Sequence, residues 1–268
     1  MPLSYRYKEH HLRKSNPAHK VLFYVMSLAV LLVLVSLLAS GFKSFFIKDI
    51  IHVFRRIGPG ELLLYSLYTF LRLFIAYIAS LAFTLVFLLA ILAHKKIENL
   101  LVPIFDILQS VPVLAFFPLI IIAFAKLHLP ELAAQIVLFV AMLWAVLFGA
   151  LGGIHQIPED ILEAAAIYGG RGWRQFTKII FPAIFPNLVI GSILSWGAGW
   201  NVIIISEYIN YGNFQVRLPG LGNLLSSSAS SDAGVFMVSL LMLILIITAM
   251  DRLIWRRLTE YSEKFKFE

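Results

Sequence analysis

Long runs of apolar residues without a charged side chain recur along the chain. An α-helix rises about 1.5 Å per residue, so about 20 such residues cross the hydrocarbon core of a bilayer. None of the runs alternates apolar and polar residues as a barrel strand does. The sequence therefore predicts an all-α integral membrane protein with six transmembrane helices, at residues 21–40, 73–93, 107–125, 132–154, 183–206 and 233–250.

Composition supports a membrane protein and excludes several other classes. Of the 268 residues, 60% are hydrophobic and 14% are charged, and the mean hydropathy is +0.87. A soluble domain is less apolar and carries more charge, and a disordered chain is more polar still. The chain has no cysteine, which excludes a disulfide framework and a cysteine-ligated metal site.

The distribution of Lys and Arg predicts that both termini face the cytoplasm. With that orientation fifteen Lys and Arg residues lie inside and six outside, and Arg72 stands at the start of the second span. We therefore interpret the net charge of +7 as topology and expect no nucleic-acid partner. The run at residues 21–40 is longer than a typical signal-peptide core, so we expect a retained anchor, although Leu38-Ala39-Ser40 is a weak cleavage site.

These features divide the chain into three parts. Residues 1–60 hold a cytoplasmic tail, the first transmembrane helix and an external loop. Residues 61–258 form the core with the remaining five helices, and residues 259–268 form a second cytoplasmic tail. Arg72 is either an intramembrane ion ligand or a side chain that snorkels to the outer interface from a span beginning near Tyr65, and we favour snorkelling.

Three prolines, at positions 103, 112 and 118, interrupt the third span. Each removes a backbone donor and bends a helix, which lipid tolerates where neighbouring helices cover the freed carbonyls. The third helix is therefore expected to be broken. The break either lines a pathway or is a packing kink, and the sequence favours neither interpretation.

The segment between the fourth and fifth spans predicts two helices joined by a sharp turn in the cytoplasm. Pro158 suits the first turn of a helix, and Glu159 and Asp160 follow at the positive end of its dipole. Gly169-Gly170 is expected to end that helix. A second short helix is expected over residues 173–181, ending at Pro182.

This loop resembles a known motif. The segment EAAAIYGGRGWRQFTKIIFP fits the pattern E-A-A, three residues, G, nine residues, I, any residue, L, P, with matches at Glu163, Ala164, Ala165, Gly169, Ile179 and Pro182. Phe181 stands where Leu is usual, and Tyr168 where Asp is frequent. The pattern is that of the EAA loop of permease subunits of binding-protein-dependent ABC importers. The segments SLYTFLRLFIAYIASLAF, SVPVLAFFPLIIIAF and LPGLGNLL extend the resemblance over residues 66–257, toward the nitrate/sulfonate/taurine subgroup.

The resemblance implies a permease subunit in the prokaryotic inner membrane. In that family two permease subunits, identical or paralogous, pair in the lipid. Two ATPase subunits dock beneath them, and an extracytoplasmic binding protein delivers the cargo. The loop over residues 155–182 would then couple to the ATPase through Glu163, Ala164, Ala165, Gly169, Arg171, Ile179 and Pro182. The competing interpretation is a plain tether between two spans.

The chain lacks the signatures of an enzyme. It contains no G-x-x-x-x-G-K-[ST] stretch, so we expect ATP and Mg²⁺ to be bound by a separate ATPase subunit and no cofactor by this chain. No group of His residues has metal-ligand spacing, and no catalytic residue is assigned.

Few polar residues lie within the spans, and they are candidates for the cargo pathway because lipid does not tolerate them facing outward. The candidates on the third and fifth spans are Gln109, Ser110, Ser195, Trp196 and Asn201. Helix packing by Ser and Gly is the competing explanation for this set. The expected cargo is a small anion or small organic molecule such as nitrate, a sulfonate or taurine. An ATP-independent secondary transporter or channel is the alternative function, but neither an internal repeat nor a mid-membrane carboxylate supports it.

The predicted topology can be tested with introduced cysteines, since the chain has none of its own. In intact cells a cysteine at Ser4 or Ser262 should resist a membrane-impermeant thiol reagent, and one at Ser228 should react. Permeabilised cells serve as the control, because all three positions should then react. Labelling of Ser4 and Ser262 but not Ser228 in intact cells would contradict the orientation.

Overall fold

Helices make up most of the chain. The computed structural model describes residues 53–127, 129–167, 172–211 and 214–265. The first predicted span, residues 21–40, lies outside the described residues. Within the described part, four helices are long and apolar enough to cross a membrane, at Pro59–Ala93, Pro130–His155, Trp173–Glu207 and Ala233–Phe265.

Ten α-helices, α1 to α10 in chain order, lie within the residues that the structure describes. The first five are α1 (Pro59–Ala93), α2 (Lys95–Ser110), α3 (Val113–Lys126), α4 (Pro130–His155) and α5 (Glu159–Ile167). The others are α6 (Trp173–Gln175), α7 (Phe181–Glu207), α8 (Leu221–Ser228), α9 (Ala233–Met250) and α10 (Arg256–Ser262). Glu263–Phe265 adds a 3₁₀ turn after α10.

The predicted second, fourth, fifth and sixth spans are confirmed as helices, but the second begins earlier than expected. Helix α1 starts at Pro59 rather than at residue 73. Proline fits the first turn of a helix, where its missing N–H has no partner to lose. Glu61, also in the first turn, lies at the positive end of the helix dipole.

The predicted third span, residues 107–125, is divided between two helices. Helix α2 ends at Ser110, α3 begins at Val113, and the two are bent by 89°. Val111 between them is extended, with φ −80° and ψ 123°. Pro112 explains the break, because the residue before a proline is driven out of helical geometry. The expected break is therefore confirmed. Pro103 and Pro118 lie inside α2 and α3 without ending either helix.

Helices α4 and α7 cross in close backbone contact. A Cβ built on Gly191 of α7 would lie 2.6 Å from the carbonyl oxygen of Ala145 on α4. A Cβ on Gly149 would lie 3.1 Å from the carbonyl oxygen of Asn187, and Gly153 meets the same residue one turn further along. Small residues allow this approach, which in lipid supplies much of the packing energy between helices.

The apolar core runs along α4. Toward its start, α4 packs with α1, α7 and α9 around residues that include Leu73, Leu138, Met142, Trp196 and Ile203. Toward its end it packs around a second group, with Leu88, Leu147, Ala150, Ile180 and Ile184 among its members. An aromatic cluster joins the spans in the middle, where Trp196 lies 5.8 Å from Tyr77 and 6.3 Å from Trp255 between ring centroids.

Two π-helical turns interrupt the long spans. Phe176–Ile180 connects α6 to α7, and Asp251–Trp255 connects α9 to α10. The expectation that the second loop helix ends at Pro182 is wrong, because the helix runs on into α7. A proline ring normally collides with the carbonyl of the fourth residue before it. The wider π turn just before Pro182 moves that carbonyl away and allows the helix to continue.

A hairpin and a short helix close one end of the bundle. Strands β1 (Tyr208–Tyr211) and β2 (Phe214–Arg217) pair antiparallel, with Ile209 opposite Val216. Helix α8 follows and leads into α9, whose N-cap Asp232 accepts a hydrogen bond from the Val235 N–H. We call this the hairpin end. The opposite end, where residues 156–180 join α4 to α7, is the loop end.

The α4–α7 contact predicts a specific stability difference between two glycines of α7. Gly191→Ala should destabilise the protein by about 1–3 kcal/mol, because the new methyl group overpacks against Ala145. Gly197→Ala is the matched control, since a methyl group added there would meet no atom within 4 Å and alanine favours a helix. Thermal unfolding in detergent micelles measures both, and equal melting temperatures for the two variants would contradict the close crossing.

Candidate functional site

The loop between α4 and α7 carries a helix of nine residues. Pro158 precedes α5, and Glu159 and Asp160 occupy its first turn as predicted. Helix α5 is described over Glu159–Ile167, and the Gly169-Gly170 pair that was expected to stop it lies outside the described residues. After residues 168–171, which lie outside the described residues, Gly172 has φ +58°. That backbone conformation favours glycine and fixes the direction in which α6 begins.

Two large apolar side chains are exposed, one on each side of residues 168–171. Ile167, the last residue of α5, is 82% exposed, and Trp173, the first residue of α6, is 67% exposed. Glu163 on α5 is also exposed. Trp173 is held in place by Phe176, with ring centroids 5.7 Å apart. Tryptophan is enriched in protein interfaces, and both side chains are large enough to be covered by a partner protein.

The opposite side of the loop is anchored in the core. Ile157, Phe176 and Ile180 are buried, in the same apolar group as Leu147 and Ala150 of α4. The loop is therefore fixed to α4 and α7 by packing as well as by chain connection.

Polar contacts add to this anchoring at the loop end. The His155 ring nitrogen Nε2 lies 2.7 Å from Glu98 Oε1, which ties the end of α4 to the first turn of α2. Asn187 Nδ2 donates to Gln156 Oε1 at 3.0 Å, joining α7 to the start of the loop. Phe265 packs edge-on against Phe185, so the C-terminal turn also contacts α7.

The structure describes five of the seven predicted coupling residues. Glu163, Ala164 and Ala165 lie on α5, Ile179 on the π turn and Pro182 in the first turn of α7. Ile179 and Pro182 are half-buried and line one groove with Lys178 and Phe265. Gly169 and Arg171 lie outside the described residues. The coupling role of the set stays a prediction.

The five predicted pathway residues do not share one exposed surface of this chain. Gln109 and Ser110, at the end of α2, are exposed and bond to Asp106 one turn earlier. Asn201 is exposed on α7 and donates to the Gly197 carbonyl. Ser195 and Trp196 are buried in the bundle instead, and among the described residues Ser195 Oγ and Trp196 Nε1 find no hydrogen-bond partner. Their role in a pathway stays a prediction.

The structure reveals a polar centre at the hairpin end that the sequence interpretation missed. Arg72 is 4% exposed and forms ion pairs with both Glu207 and Glu131, so the expectation that it snorkels is wrong. Its Nε and Nη2 donate to the two oxygens of Glu131 at 3.0 and 2.8 Å. Its Nη1 donates to Glu207 Oε1, and the Pro219 carbonyl lies 3.4 Å from Nη2.

The Glu207 side chain is fully buried. Its carboxylate is bound by hydrogen bonds as well as by the ion pair with Arg72. Thr69 Oγ1 donates to Oε1 at 2.8 Å, and the Gly222 N–H donates to Oε2 at 2.7 Å. Thr69 Oγ1 in turn accepts from the Leu221 N–H at 2.8 Å. A Cβ at Gly220 would overlap the carboxylate. The glycines of LPGLGNLL are therefore required where the backbone approaches Glu207, a constraint that sequence spacing does not reveal.

Removing one partner of this pair should be costly. Arg72→Met leaves the Glu207 carboxylate buried without its cation, and we expect a loss of about 3–5 kcal/mol of stability. The double variant Arg72→Met, Glu207→Met should lose less than Arg72→Met alone, because no uncompensated charge remains. Thermal unfolding of both variants measures the difference, and a double variant less stable than the single one would contradict the assignment.

Comparison with known proteins supports a transport function. Residues 82–257, more than half of the chain, match the model of a family described as binding-protein-dependent transport system inner membrane component. The nitrate import permease protein of Synechocystis is 29% identical over 44% of this chain and 42% of its own length. A bicarbonate transport system permease protein of Synechococcus elongatus is 27% identical, with the same coverage of both chains.

A third relative aligns over more of the chain. The taurine transport system permease protein of Escherichia coli is 24% identical over 71% of this chain and 67% of its own length. The match thus spans less than half of the nitrate and bicarbonate relatives and two thirds of the taurine relative. On the family match, with its multiple apolar helices, this chain is a multi-pass membrane protein that belongs to the inner membrane components of binding-protein-dependent transport systems, the permease subunits of ABC importers.

Proposed function

We propose that this permease subunit forms part of the cargo pathway of an ABC importer and couples it to a separate ATPase through residues 155–182. One observation carries the proposal. Ile167 and Trp173 expose large apolar surfaces on a loop whose other side is packed into α4 and α7. Such a loop can bind a partner on one face and pass a displacement to two spans on the other.

Charge and rigidity support the coupling role. Exposed Glu163 offers a carboxylate to a basic or hydrogen-bonding residue of the ATPase. Because α4 and α7 meet through glycines, the two spans joined by the loop are expected to move together. We expect ATP and Mg²⁺ to be bound by the ATPase, and the assembly to contain a second permease and an extracytoplasmic binding protein.

The proposed topology has six spans with both termini in the cytoplasm. The bent pair α2–α3 counts as one span, and residues 21–40 supply another. The loop end then faces the cytoplasm and the hairpin end faces outward. Arg252, Arg256 and Arg257 near the loop end support this orientation, since cytoplasmic ends of spans are enriched in Lys and Arg.

The proposed cargo is a small anion or small organic molecule, of the kind for which the relatives are named. Arg72 offers no free positive charge to it, because two carboxylates bind its guanidinium. Neutral donors such as Gln109, Ser110 and Asn201 would then contact an anion only weakly. Selection among anions would rest mainly with the binding protein.

The coupling proposal predicts the effect of two loop variants. Trp173→Ala removes an exposed apolar side chain from the loop. Glu163→Arg puts a positive charge at a position where we expect a negative charge to pair with a basic residue of the ATPase. An unpaired interfacial charge costs about 2–5 kcal/mol, so Glu163→Arg should weaken ATPase association about 30-fold or more. Co-purification with the ATPase, together with ATP hydrolysis and uptake in liposomes, measures the effect.

Leu253→Ala is the matched control for Trp173→Ala. Leu253 is also exposed on this chain, but it lies on the π turn after α9 and not on the loop. We expect it to assemble, hydrolyse ATP and transport as the parent does. If both loop variants behave as Leu253→Ala does, the loop is a tether. Uptake that persists in liposomes without ATP would favour a secondary transporter.

A further inference from the structure

Arg72 at the hairpin end binds two carboxylates whose surroundings differ sharply. Glu207, the last residue of α7, is 0% exposed, and Glu131, in the first turn of α4, is 57% exposed. Both accept charge-assisted hydrogen bonds from the same guanidinium, the stronger kind of hydrogen bond. The ion pairs thus connect α1 to α7 on one side and to α4 on the other.

The Glu207 side of this centre is fixed. Its carboxylate accepts from Thr69 of α1 and from the Gly222 N–H of α8 as well as from Arg72. A Cβ at Gly220 would overlap it, and none of its side-chain surface is exposed. Separating Arg72 from Glu207 would leave a buried charge without a partner, which proteins rarely tolerate. Helices α1, α7 and α8 are therefore held together as one block.

The Glu131 side costs less to release than the Glu207 side, because only the Arg72 Nε would lose its acceptor and no charge would be left without a partner. Its carboxylate already contacts solvent and lies at the start of α4, where the helix dipole favours a negative charge even without a cation. Arg72 would keep Glu207 and the Pro219 carbonyl after Glu131 departs. Breaking this ion pair therefore leaves no buried charge unpaired, unlike breaking the other one.

We propose that Arg72 and Glu131 form a latch that opens during transport while Arg72 and Glu207 stay paired. The latch holds the start of α4 against the block of α1, α7 and α8, and it is closed in this structure. Its opening lets the first turn of α4 and the attached end of α3 shift relative to α1, while the glycine contact with α7 at Gly149 and Gly153, further along α4, stays closed. Glu131 is thus a positioning residue. The latch's use during transport rests on the proposed function, but its existence can be tested on the chain alone.

Spin-label distances provide the test. Cysteines replace Leu64 on α1 and Leu132 on α4, both exposed, in a chain that has no other cysteine. In lipid nanodiscs Glu131→Gln should increase the population of a longer distance about three- to tenfold, with a nearly unchanged melting temperature. Glu207→Gln should instead lower the melting temperature markedly.

Glu260→Gln is the matched control, because it removes the carboxylate of another exposed ion pair, with Arg256 near the loop end. It should leave the distance distribution as in the parent. A Glu131→Gln distribution identical to that of Glu260→Gln would overturn the latch. So would a loss of stability as large as that of Glu207→Gln, since Glu131 would then belong to the fixed block.

The assembled transporter supplies the second readout. The parent chain is assembled with the ATPase and the binding protein in nanodiscs. Addition of ATP should then increase the population of the longer distance that Glu131→Gln shows in the chain alone. If the distance distribution of the assembled transporter is the same with and without ATP, the latch is not used in transport. If no ATPase binds to the chain at all, the proposed function fails, while the comparison of Glu131→Gln with Glu260→Gln still decides whether the latch exists.

Discussion

The contact between the backbones of α4 and α7 is the interaction on which the rest of the structure depends. In lipid, apolar side chains gain little by leaving one apolar environment for another, so close van der Waals packing has to hold the helices together. Gly149, Gly153 and Gly191 provide it by removing the side chains that would keep the helices apart. Helix α1 and the aromatic cluster around Trp196 then pack against the paired helices. The loop end is held in place because its buried side chains pack against both of them.

Most of the helical architecture could be predicted from the sequence, because a membrane-spanning helix is identified by the length of one continuous run of apolar residues. The predicted spans at 132–154 and 183–206 lie within α4 and α7, and the start of α5 follows from Pro158. The break at Pro112 was also predictable, since a proline constrains its neighbour. The 89° bend was not, because its size depends on what each half packs against.

The polar centre could not be predicted because its members are far apart in sequence. Arg72 is 59 residues from Glu131 and 135 from Glu207. Each looks ordinary alone, as a charged residue near the end of an apolar run. The continuation of the loop helix through Pro182 was missed for a different reason. The sequence shows Pro182 but not the π turn before it, through which the helix continues.

The π turn at Phe176–Ile180 also sets the rotational phase between the loop and the membrane-spanning part of α7. A π turn holds one residue more than the α-helix around it, and one residue corresponds to about 100° of rotation. Loss of a single residue there would turn Trp173 by about 100° relative to the membrane-spanning part of α7. It would also displace the buried Phe176 and Ile180 and return the Pro182 ring toward the carbonyl that the π turn moves away. The direction in which the loop faces therefore depends on this one extra residue.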